Sequence, residues 1–150
     1  MTRPPASPRR WAYTLEVQAT LRDTDGLGHV NHAVYLGWLE EARSRYVAAR
    51  GAITRIEEFE FVLASCTLHF RSPVYFHESV TISLVPTRVG TKSWDLDYEG
   101  RVRSDRRLVV EGSTTQVQYD YRTKASKPIP DAWRRWLLAD GEKACGNGCC

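Results

Sequence analysis

Long apolar runs, strong net charge and paired cysteines are all scarce in this 150-residue sequence. No run of apolar residues is long enough to cross a bilayer, so we expect no membrane insertion. The net charge of +3 is too small on its own to indicate a nucleic-acid partner. Only four cysteines occur, three of them within the last six residues, which is not a disulfide framework. The sequence therefore predicts a protein of the reducing cytoplasm.

The chain divides into one domain with short flanking segments. Residues 1–10 contain three prolines and three arginines but no apolar core of a signal peptide, and we expect a disordered arm there. Residues 11–138 carry regular hydrophobic patterns, and the 42% hydrophobic content suffices for one sizeable core. Residues 139–150 are polar and glycine-rich, which predicts a flexible tail that includes Cys145, Cys149 and Cys150.

Hydrophobic periodicity within the domain predicts five strands and two helices. An alternating pattern predicts strands over residues 11–21, 60–71, 79–89, 92–103 and 107–121, and helical spacing predicts a long helix over 32–50 and a short one over 131–138. Strands that follow one another through short turns pair antiparallel. The sequence thus predicts an α+β fold, in which one long helix packs against an antiparallel five-strand sheet. Both faces of 60–71 are apolar, which is typical of a central strand.

The loop between the first strand and the long helix concentrates polar chemistry. Residues 22–31 contain two aspartates, two glycines and a histidine directly before a predicted helix start. Free N–H groups at a helix start stabilise an anion or a developing oxyanion. Asp25 is therefore a candidate catalytic carboxylate, with a turn or helix-cap role as the alternative. We interpret Asp23 as a structural loop residue. Asn31 and His32 compete for the N-cap position.

Four segments in a fixed order carry a family resemblance. They are residues 22–31 with Tyr35 and the Glu40-Glu41-Ala42-Arg43 run, residues 70–74, residues 90–94, and residues 127–130. With these segments the chain resembles the hot-dog-fold acyl-CoA thioesterases of the 4-hydroxybenzoyl-CoA thioesterase type. The resemblance covers roughly residues 11–138. It implies hydrolysis of an acyl thioester to a free acid and coenzyme A in a homodimer or homotetramer, without a metal or redox cofactor.

The resemblance also assigns site residues. Asp25 corresponds to the catalytic carboxylate, acting either as a nucleophile or as a general base on water. A backbone N–H near His32 polarises the thioester carbonyl. The predicted oxyanion and substrate-binding residues are Gly28, His29, Asn31, His32 and Tyr35, and the predicted coenzyme A-binding residues are Arg71, Lys92 and Ser93. Of Glu40 and Glu41, one can approach the pocket, although a solvated or ion-paired glutamate is the commoner situation.

Two departures from the family pattern leave alternatives open. His32 stands where a second asparagine is frequent, and His77-Glu78 replaces a frequent Gly-Asp turn. A histidine beside Asp25 is also compatible with a thioester dehydratase or hydratase on the same fold. A non-catalytic module that binds acyl thioesters is the second alternative. Asp25, His29 and His32 are residue types that suit zinc, but no further ligand cluster accompanies them.

Overall fold

A computed structural model describes residues 9–145 of the chain. The elements, in chain order, are β1 (Tyr13–Gln18), α1 (His32–Gly51), β2 (Phe61–Phe70), β3 (Ser79–Val89), β4 (Ser93–Val102), β5 (Leu108–Asp120), β6 (Ala125–Ser126) and α2 (Asp131–Cys145), with 3-10 turns at Leu21–Asp23 and Ile56–Glu58. All long elements predicted from periodicity are present. Their bounds differ from the predicted ones by a few residues, except at the end of α2.

One antiparallel sheet forms the framework of the domain. Its strand order is β1-β3-β4-β5-β2, and the two-residue β6 pairs with β5 beside this path. β4 follows β3, and β5 follows β4, through a short turn, which is why these three strands pair antiparallel. Helix α1 packs on one face of the sheet, as predicted. Its first residue lies close to the end of β2, and this arrangement places the polar loop at the edge of the sheet.

Helix α1 begins at a well-defined cap. The Asn31 side chain accepts a hydrogen bond from the Ala33 N–H at 2.9 Å, so asparagine rather than His32 takes the N-cap position. At its other end the helix includes Gly51 and stops at Ala52, which has φ 50° in the left-handed region. A Cβ on Gly51 would lie 3.2 Å from a side-chain carbon of Ile53. Glycine there permits close packing.

The two faces of the sheet have different chemistry. Along β4 the side chains of Trp94, Leu96 and Tyr98 are buried on the α1 side. The alternate positions Asp95, Asp97 and Glu99 point to the opposite face. That outer face is laced with ion pairs, including Arg88–Asp95 at 2.6 Å, Arg101–Glu99 at 2.6 Å and Arg71–Glu111 at 2.7 Å. The core therefore lies between the inner face of the sheet and the helices α1 and α2.

The predicted central position of β2 is wrong. β2 pairs only with β5 and forms an edge of the described sheet. Much of the strand is exposed, with Leu63 at 46% and Phe70 at 51% of their full surface. An apolar strand on an open edge leaves backbone N–H and C=O groups unpaired, which natural proteins pair, cover or guard. The apolar side chains and the free edge of β2 are thus not fully covered by the described residues of one chain.

The predicted start of a flexible tail at residue 139 is also wrong. Helix α2 continues to Cys145, seven residues beyond the predicted end. Asp140 on this extension is buried and accepts hydrogen bonds from the Tyr46 hydroxyl at 2.9 Å and from Arg50 Nε at 2.7 Å. Cys149 and Cys150 lie outside the described residues. No helix among residues 9–145 is both long and apolar enough to cross a membrane.

The predicted N-terminal arm is described only at its end. Residues 1–8 lie outside the described part of the chain, whereas Arg9 forms an ion pair with Asp97 at 2.9 Å. The Arg9 guanidinium also lies 5.2 Å from the ring centre of Trp11. These contacts dock residue 9 on the outer face of the sheet, two residues before the domain start predicted from periodicity.

Candidate active site

The loop before α1 is closed by its own backbone. Thr24 and Val30 form an isolated antiparallel bridge, and the Asp25 N–H donates to the His29 carbonyl at 3.1 Å. The Gly28 N–H returns to the Asp25 carbonyl at 3.1 Å. Gly28 has φ 83°, a conformation that costs little only without a Cβ. Gly28 thus shapes the turn that presents Asp25, and its own side of the loop does not face the cavity described below.

The Asp25 carboxylate is held at both oxygens. Oδ1 accepts a hydrogen bond from the Leu27 N–H at 2.9 Å, and Oδ2 accepts one from Asn31 Nδ2 at 3.2 Å. The same Asn31 caps α1 through its Oδ1. One asparagine therefore joins the carboxylate to the helix start and fixes their relative position. The two readings of Asp25, a turn residue and a catalytic carboxylate, are geometrically compatible.

The other aspartate of the loop has a different environment. Asp23 Oδ2 accepts hydrogen bonds from the Thr20 N–H at 2.7 Å and from the Thr20 hydroxyl at 2.8 Å. The Asp23 carbonyl accepts from the Asn31 N–H at 2.8 Å. The Asp23 carboxylate thus stabilises the 3-10 turn, and the Asp23 carbonyl helps to close the loop. This geometry agrees with the structural role expected for it.

The start of α1 offers an unoccupied donor next to Asp25. The Ala33 N–H is bound to the Asn31 side chain, and the Val34 N–H donates to the Asn31 carbonyl at 3.0 Å. Within residues 9–145 no acceptor receives the His32 N–H. A free N–H in the first turn, aligned with the positive end of the helix dipole, is a donor for an oxyanion.

These groups open into one cavity at the edge of the sheet. Its volume is about 400 Å³, and its walls include Asp25, His29, His32, Tyr35, Phe70 and Arg71. Five of these six residues were predicted site residues. Phe70 was not, although it lies in a segment that carried the family resemblance. The sequence feature that could have identified Phe70 is its position as the last residue of a strand that runs toward the loop.

Aromatic rings form the inner wall of this cavity. Tyr35 is buried, and its ring centre lies 5.3 Å from that of Phe70 and 5.2 Å from that of Trp38. Burial raises the pKa of the Tyr35 hydroxyl above its ordinary value, so this hydroxyl remains protonated at neutral pH. An apolar wall with a few polar groups on one side is typical of a site for an organic ligand.

The two imidazole rings form no hydrogen bond with the Asp25 carboxylate in the described structure. His29 Nδ1 lies 3.2 Å from the Val30 carbonyl oxygen, and the exposed His32 ring packs edge-on against Phe70 at 6.2 Å between ring centres. No group of three or more metal-ligating side chains suited to an ion occurs in the described part of the chain. The zinc alternative for Asp25, His29 and His32 therefore receives no support from the geometry.

The predicted coenzyme A-binding residues do not come together within one chain. The Arg71 N–H donates to the Val109 carbonyl at 2.9 Å, at the cavity end of β5. Ser93, next to Lys92, is the register partner of Val117. Eight residues of strand separate Val109 from Val117, a distance of about 26 Å. Arg71 thus lies at the cavity, whereas Lys92 and Ser93 lie at the opposite end of the sheet.

The combination of one long helix on an antiparallel sheet and a carboxylate at the helix start defines the hot-dog class of fold. The chain belongs to the thioesterase-like superfamily, whose family model matches residues 19–137. It is similar to a 1,4-dihydroxy-2-naphthoyl-CoA hydrolase from Nostoc punctiforme, with 24% identity over 90% of this chain and 93% of the relative.

Solved structures agree with this assignment. A thioesterase from Thermus thermophilus, complexed with coenzyme A and Zn, matches with 26% identity and a TM-score of 0.79 over 88% of this chain and 96% of the other. A 1,4-dihydroxy-2-naphthoyl-CoA thioesterase from Synechocystis matches with 22% identity and a TM-score of 0.73 over 84% and 95% of the two chains. The predicted fold and family are confirmed.

Proposed function

We propose that this protein is an acyl-CoA thioesterase that hydrolyses an acyl thioester to the free acid and coenzyme A. The observation that carries the proposal is the pairing of the oriented Asp25 carboxylate with the free His32 N–H across one cavity. The names of the curated relatives, which are coenzyme A thioester hydrolases, support the same reaction class. The reaction needs no redox cofactor, and we place the protein in the cytoplasm.

The geometry supports two routes for Asp25. In the nucleophilic route, a carboxylate oxygen attacks the thioester carbonyl carbon, the C–S bond breaks, coenzyme A leaves as a thiolate, and water hydrolyses the resulting mixed anhydride. In the general-base route, Asp25 takes a proton from water while the water oxygen attacks the same carbon. In both routes the His32 N–H donates to the oxygen that becomes negatively charged, which stabilises the transition state.

An aromatic acyl group fits the cavity wall best. Tyr35 and Phe70 line one side of the cavity, and the Trp38 ring packs against Tyr35. Aromatic groups pack favourably against such rings in edge-to-face or offset arrangements. The relatives act on 1,4-dihydroxy-2-naphthoyl-CoA, and this thioester is therefore the first substrate to test, followed by benzoyl and aliphatic thioesters.

The dehydratase alternative is less well supported. A hydratase or dehydratase requires a histidine that exchanges a proton with the acyl chain in concert with a carboxylate. The His29 ring contacts the Val30 carbonyl, and neither imidazole ring is hydrogen-bonded to the Asp25 carboxylate among the described contacts. Enoyl thioesters should therefore release thiol without a prior change in enoyl absorbance.

We also propose that the active unit is a homodimer paired through β2. The inner-face residues of this edge strand, Phe61, Leu63, Cys66, Leu68 and Phe70, pair with alternate residues of β5. Cys66 is the middle member of the five. A β-bulge between Leu63 and Ser65 leaves Ala64 without a register partner and shifts the alternation of the strand by one residue. With Ala64 unpaired in both copies, antiparallel pairing of two β2 strands about Cys66 would match every inner-face residue with an inner-face residue of the partner subunit, with Phe70 opposite the partner's Phe61. A homotetramer would require further contacts between such dimers.

Replacement of Asp25 by asparagine tests the proposed reaction. Asp25→Asn should lower kcat for thiol release by a factor of about 10² to 10⁴, the usual contribution of a positioned acid or base. Thiol release from 1,4-dihydroxy-2-naphthoyl-CoA, benzoyl-CoA and hexanoyl-CoA gives the readout. Binding of the thioesters, measured by calorimetry, should persist in the variant.

Asp23→Asn is the matched control, because Asp23 lies two residues away and its Oδ2 accepts both hydrogen bonds from Thr20. It should retain most of the activity of the parent enzyme at a temperature where it is folded. An Asp25→Asn variant with near wild-type thiol release would contradict the catalytic assignment. Absence of thiol release from every thioester with the parent enzyme would contradict the proposed function itself.

A further inference from the structure

A buried arginine without an acidic partner lies far from the Asp25 cavity. Arg43 on α1 is 5% exposed, and no carboxylate within the described residues forms an ion pair with it. Its only hydrogen bond in the described part of the chain is a long one, 3.4 Å from Nη1 to the Tyr98 hydroxyl. Arg43 Nε has no partner at all among residues 9–145. An uncompensated buried charge is costly, so a functional reason for it is expected.

The neighbours of Arg43 are also polar and incompletely satisfied. Thr114 donates to the Tyr98 hydroxyl at 3.1 Å and accepts from Gln116, and all three side chains are buried. Gln116 Oε1 and both polar side-chain atoms of Gln118 have no partner in the described chain. We call Arg43, Tyr98, Thr114, Gln116 and Gln118 the Arg43 cluster. It contains donors and acceptors that have no partner in the described part of the chain, and a hydroxyl group can serve both kinds of atom.

Arg43 is the member of the cluster that lines a second cavity. The volume of this cavity is about 770 Å³, and its walls include Phe59, Phe61 and Leu63 as well as the acidic residues Glu40 and Glu57. Gln118 and Gln116 are the register partners of Phe61 and Leu63 on the inner face of the sheet. Aromatic and aliphatic walls around a few convergent polar groups are the composition of a site for a small organic group.

The second cavity is too distant to serve Asp25 of the same chain. Eleven residues of α1 separate His32 from Arg43, which corresponds to about 16 Å along the helix axis. Antiparallel pairing of two β2 strands changes this relation, because Phe61 of one subunit would then lie opposite Phe70 of its partner. The Arg43 cavity of one subunit would adjoin the Asp25 cavity of the other.

From these observations we propose that the Arg43 cluster binds a hydroxyl group of the acyl moiety whose thioester is cleaved at Asp25 of the partner subunit. The hydroxyl oxygen accepts from Arg43 Nε, and its proton is donated to a free glutamine Oε1. The proposal rests on the proposed thioesterase function and on the β2 dimer. It makes Arg43 a specificity-determining residue, separate from the bond-breaking chemistry, which stays with Asp25.

Matched pairs of thioesters test the proposal. The ratio of kcat/KM for 6-hydroxy-2-naphthoyl-CoA to 2-naphthoyl-CoA, and for 1,4-dihydroxy-2-naphthoyl-CoA to 2-naphthoyl-CoA, should exceed about tenfold, the lower limit for a hydrogen bond to a charged group. Arg43→Met should reduce this ratio to near unity while activity on 2-naphthoyl-CoA is retained. Arg43→Lys, which keeps the charge, should retain part of the preference.

Arg45→Met is the matched control, because Arg45 lies on the exposed side of the same helix and pairs with Glu41 at 2.6 Å. It removes the same charge and should leave the ratio unchanged. Thermal melting separates folding from recognition, and we expect Arg43→Met to melt no lower than the parent. Equal rates within every pair for the parent enzyme, or an unchanged ratio in Arg43→Met, would overturn the proposal.

Binding measurements keep the proposal apart from the thioesterase assignment. In the Asp25→Asn background, calorimetric affinities for the same pairs should show the same hydroxyl preference and the same loss with Arg43→Met. If the parent enzyme cleaves no thioester but this affinity difference is present, the thioesterase function fails and the Arg43 site stands. If cleavage proceeds without any hydroxyl preference, the Arg43 site fails and the thioesterase function stands.

A mixed dimer tests the placement across the interface. One subunit carries Asp25→Asn and the other carries Arg43→Met, so that one of the two sites combines an intact Asp25 with the partner's intact Arg43. Recovery of the hydroxyl preference in the mixed dimer is expected. A mixed dimer that hydrolyses 2-naphthoyl-CoA but shows no preference would overturn recognition across the subunits.

Discussion

Asp23 and Asp25 have the same side chain two residues apart, and their surroundings separate their roles. Asp23 faces back to Thr20 and stabilises a 3-10 turn, whereas Asp25 faces the cavity and shares Asn31 with the helix cap. The sequence predicted this division from the position of Asp25 just before the helix start and from the family resemblance. It could not predict that Asn31 joins the carboxylate to the cap, because this contact depends on the closure of the loop.

His77 is a second residue at which the backbone conformation determines how a substitution changes stability. It stands where the family frequently has glycine, and its φ of 69° lies in the left-handed region. A Cβ in this region costs about 1 kcal/mol. We therefore expect His77→Gly to have a larger free energy of unfolding than His77→Ala by about 1 kcal/mol. Urea denaturation of both variants gives the difference, and neither retains the imidazole stacked on Phe76.

The same pair of substitutions at His69 is the control. His69 lies in the extended strand β2, where alanine should be the more stable of the two by about 0.5–1 kcal/mol. An alanine variant that is more stable than the glycine variant at position 77 would show that the left-handed backbone there carries no measurable strain.

At the scale of elements, periodicity predicted α1 and the strands because their patterns reflect burial on one face. The pattern of β2 has a different origin. Its apolar residues on both faces were interpreted as those of a central strand, yet β2 lies at the edge. Periodicity records that a surface is covered, but it cannot distinguish a neighbouring strand of the same chain from one of a second copy.

The end of α2 could not be predicted from amino-acid composition. Residues 139–145 contain glycine and charged residues, so they were assigned to a flexible tail, but the helix continues through them. Asp140 provides the physical reason, because it bonds Tyr46 and Arg50 on α1, residues nearly a hundred positions away in the chain. A single long-range contact of this kind leaves no local pattern in the sequence.

This contact should contribute measurably to stability. Burial raises the pKa of the Tyr46 hydroxyl, and the Asp140 charge adds to the rise, so the hydroxyl remains a donor that needs an acceptor. Asp140→Ala removes this acceptor and should lower the free energy of unfolding by about 2 kcal/mol, as for other unsatisfied buried groups. Glu142→Ala, on the exposed side of α2, should change it by less than about 0.5 kcal/mol. Equal effects of the two substitutions would contradict the proposed docking of α2.

At the scale of the whole molecule, one chain does not bring the predicted site residues together. Asp25, His29, His32, Tyr35 and Arg71 share one cavity, whereas Lys92 and Ser93 lie at the other end of the sheet. In a dimer paired antiparallel through β2, opposite ends of the two sheets become neighbours. The proposed dimer thus gives Lys92 and Ser93 a route to the coenzyme A of the partner's site, which remains a prediction.

The register of this dimer makes Cys66 its most informative residue. Because Cys66 is the middle inner-face residue of β2, it would lie opposite the partner subunit's Cys66 on the two-fold axis. Residues directly opposite in antiparallel strands have Cα atoms about 4.5–5.5 Å apart, within the range that a disulfide spans.

In a variant whose Cys145, Cys149 and Cys150 are serine, mild oxidation or a short bismaleimide should join two chains into a covalent dimer. Cys66→Ser in the same background should abolish the cross-link without changing the dimer mass in light scattering. A fully active monomer at micromolar concentration would contradict the dimer. A stable dimer in which Cys66 cannot be cross-linked would contradict this register, and with it the placement of Arg43 beside the partner's Asp25.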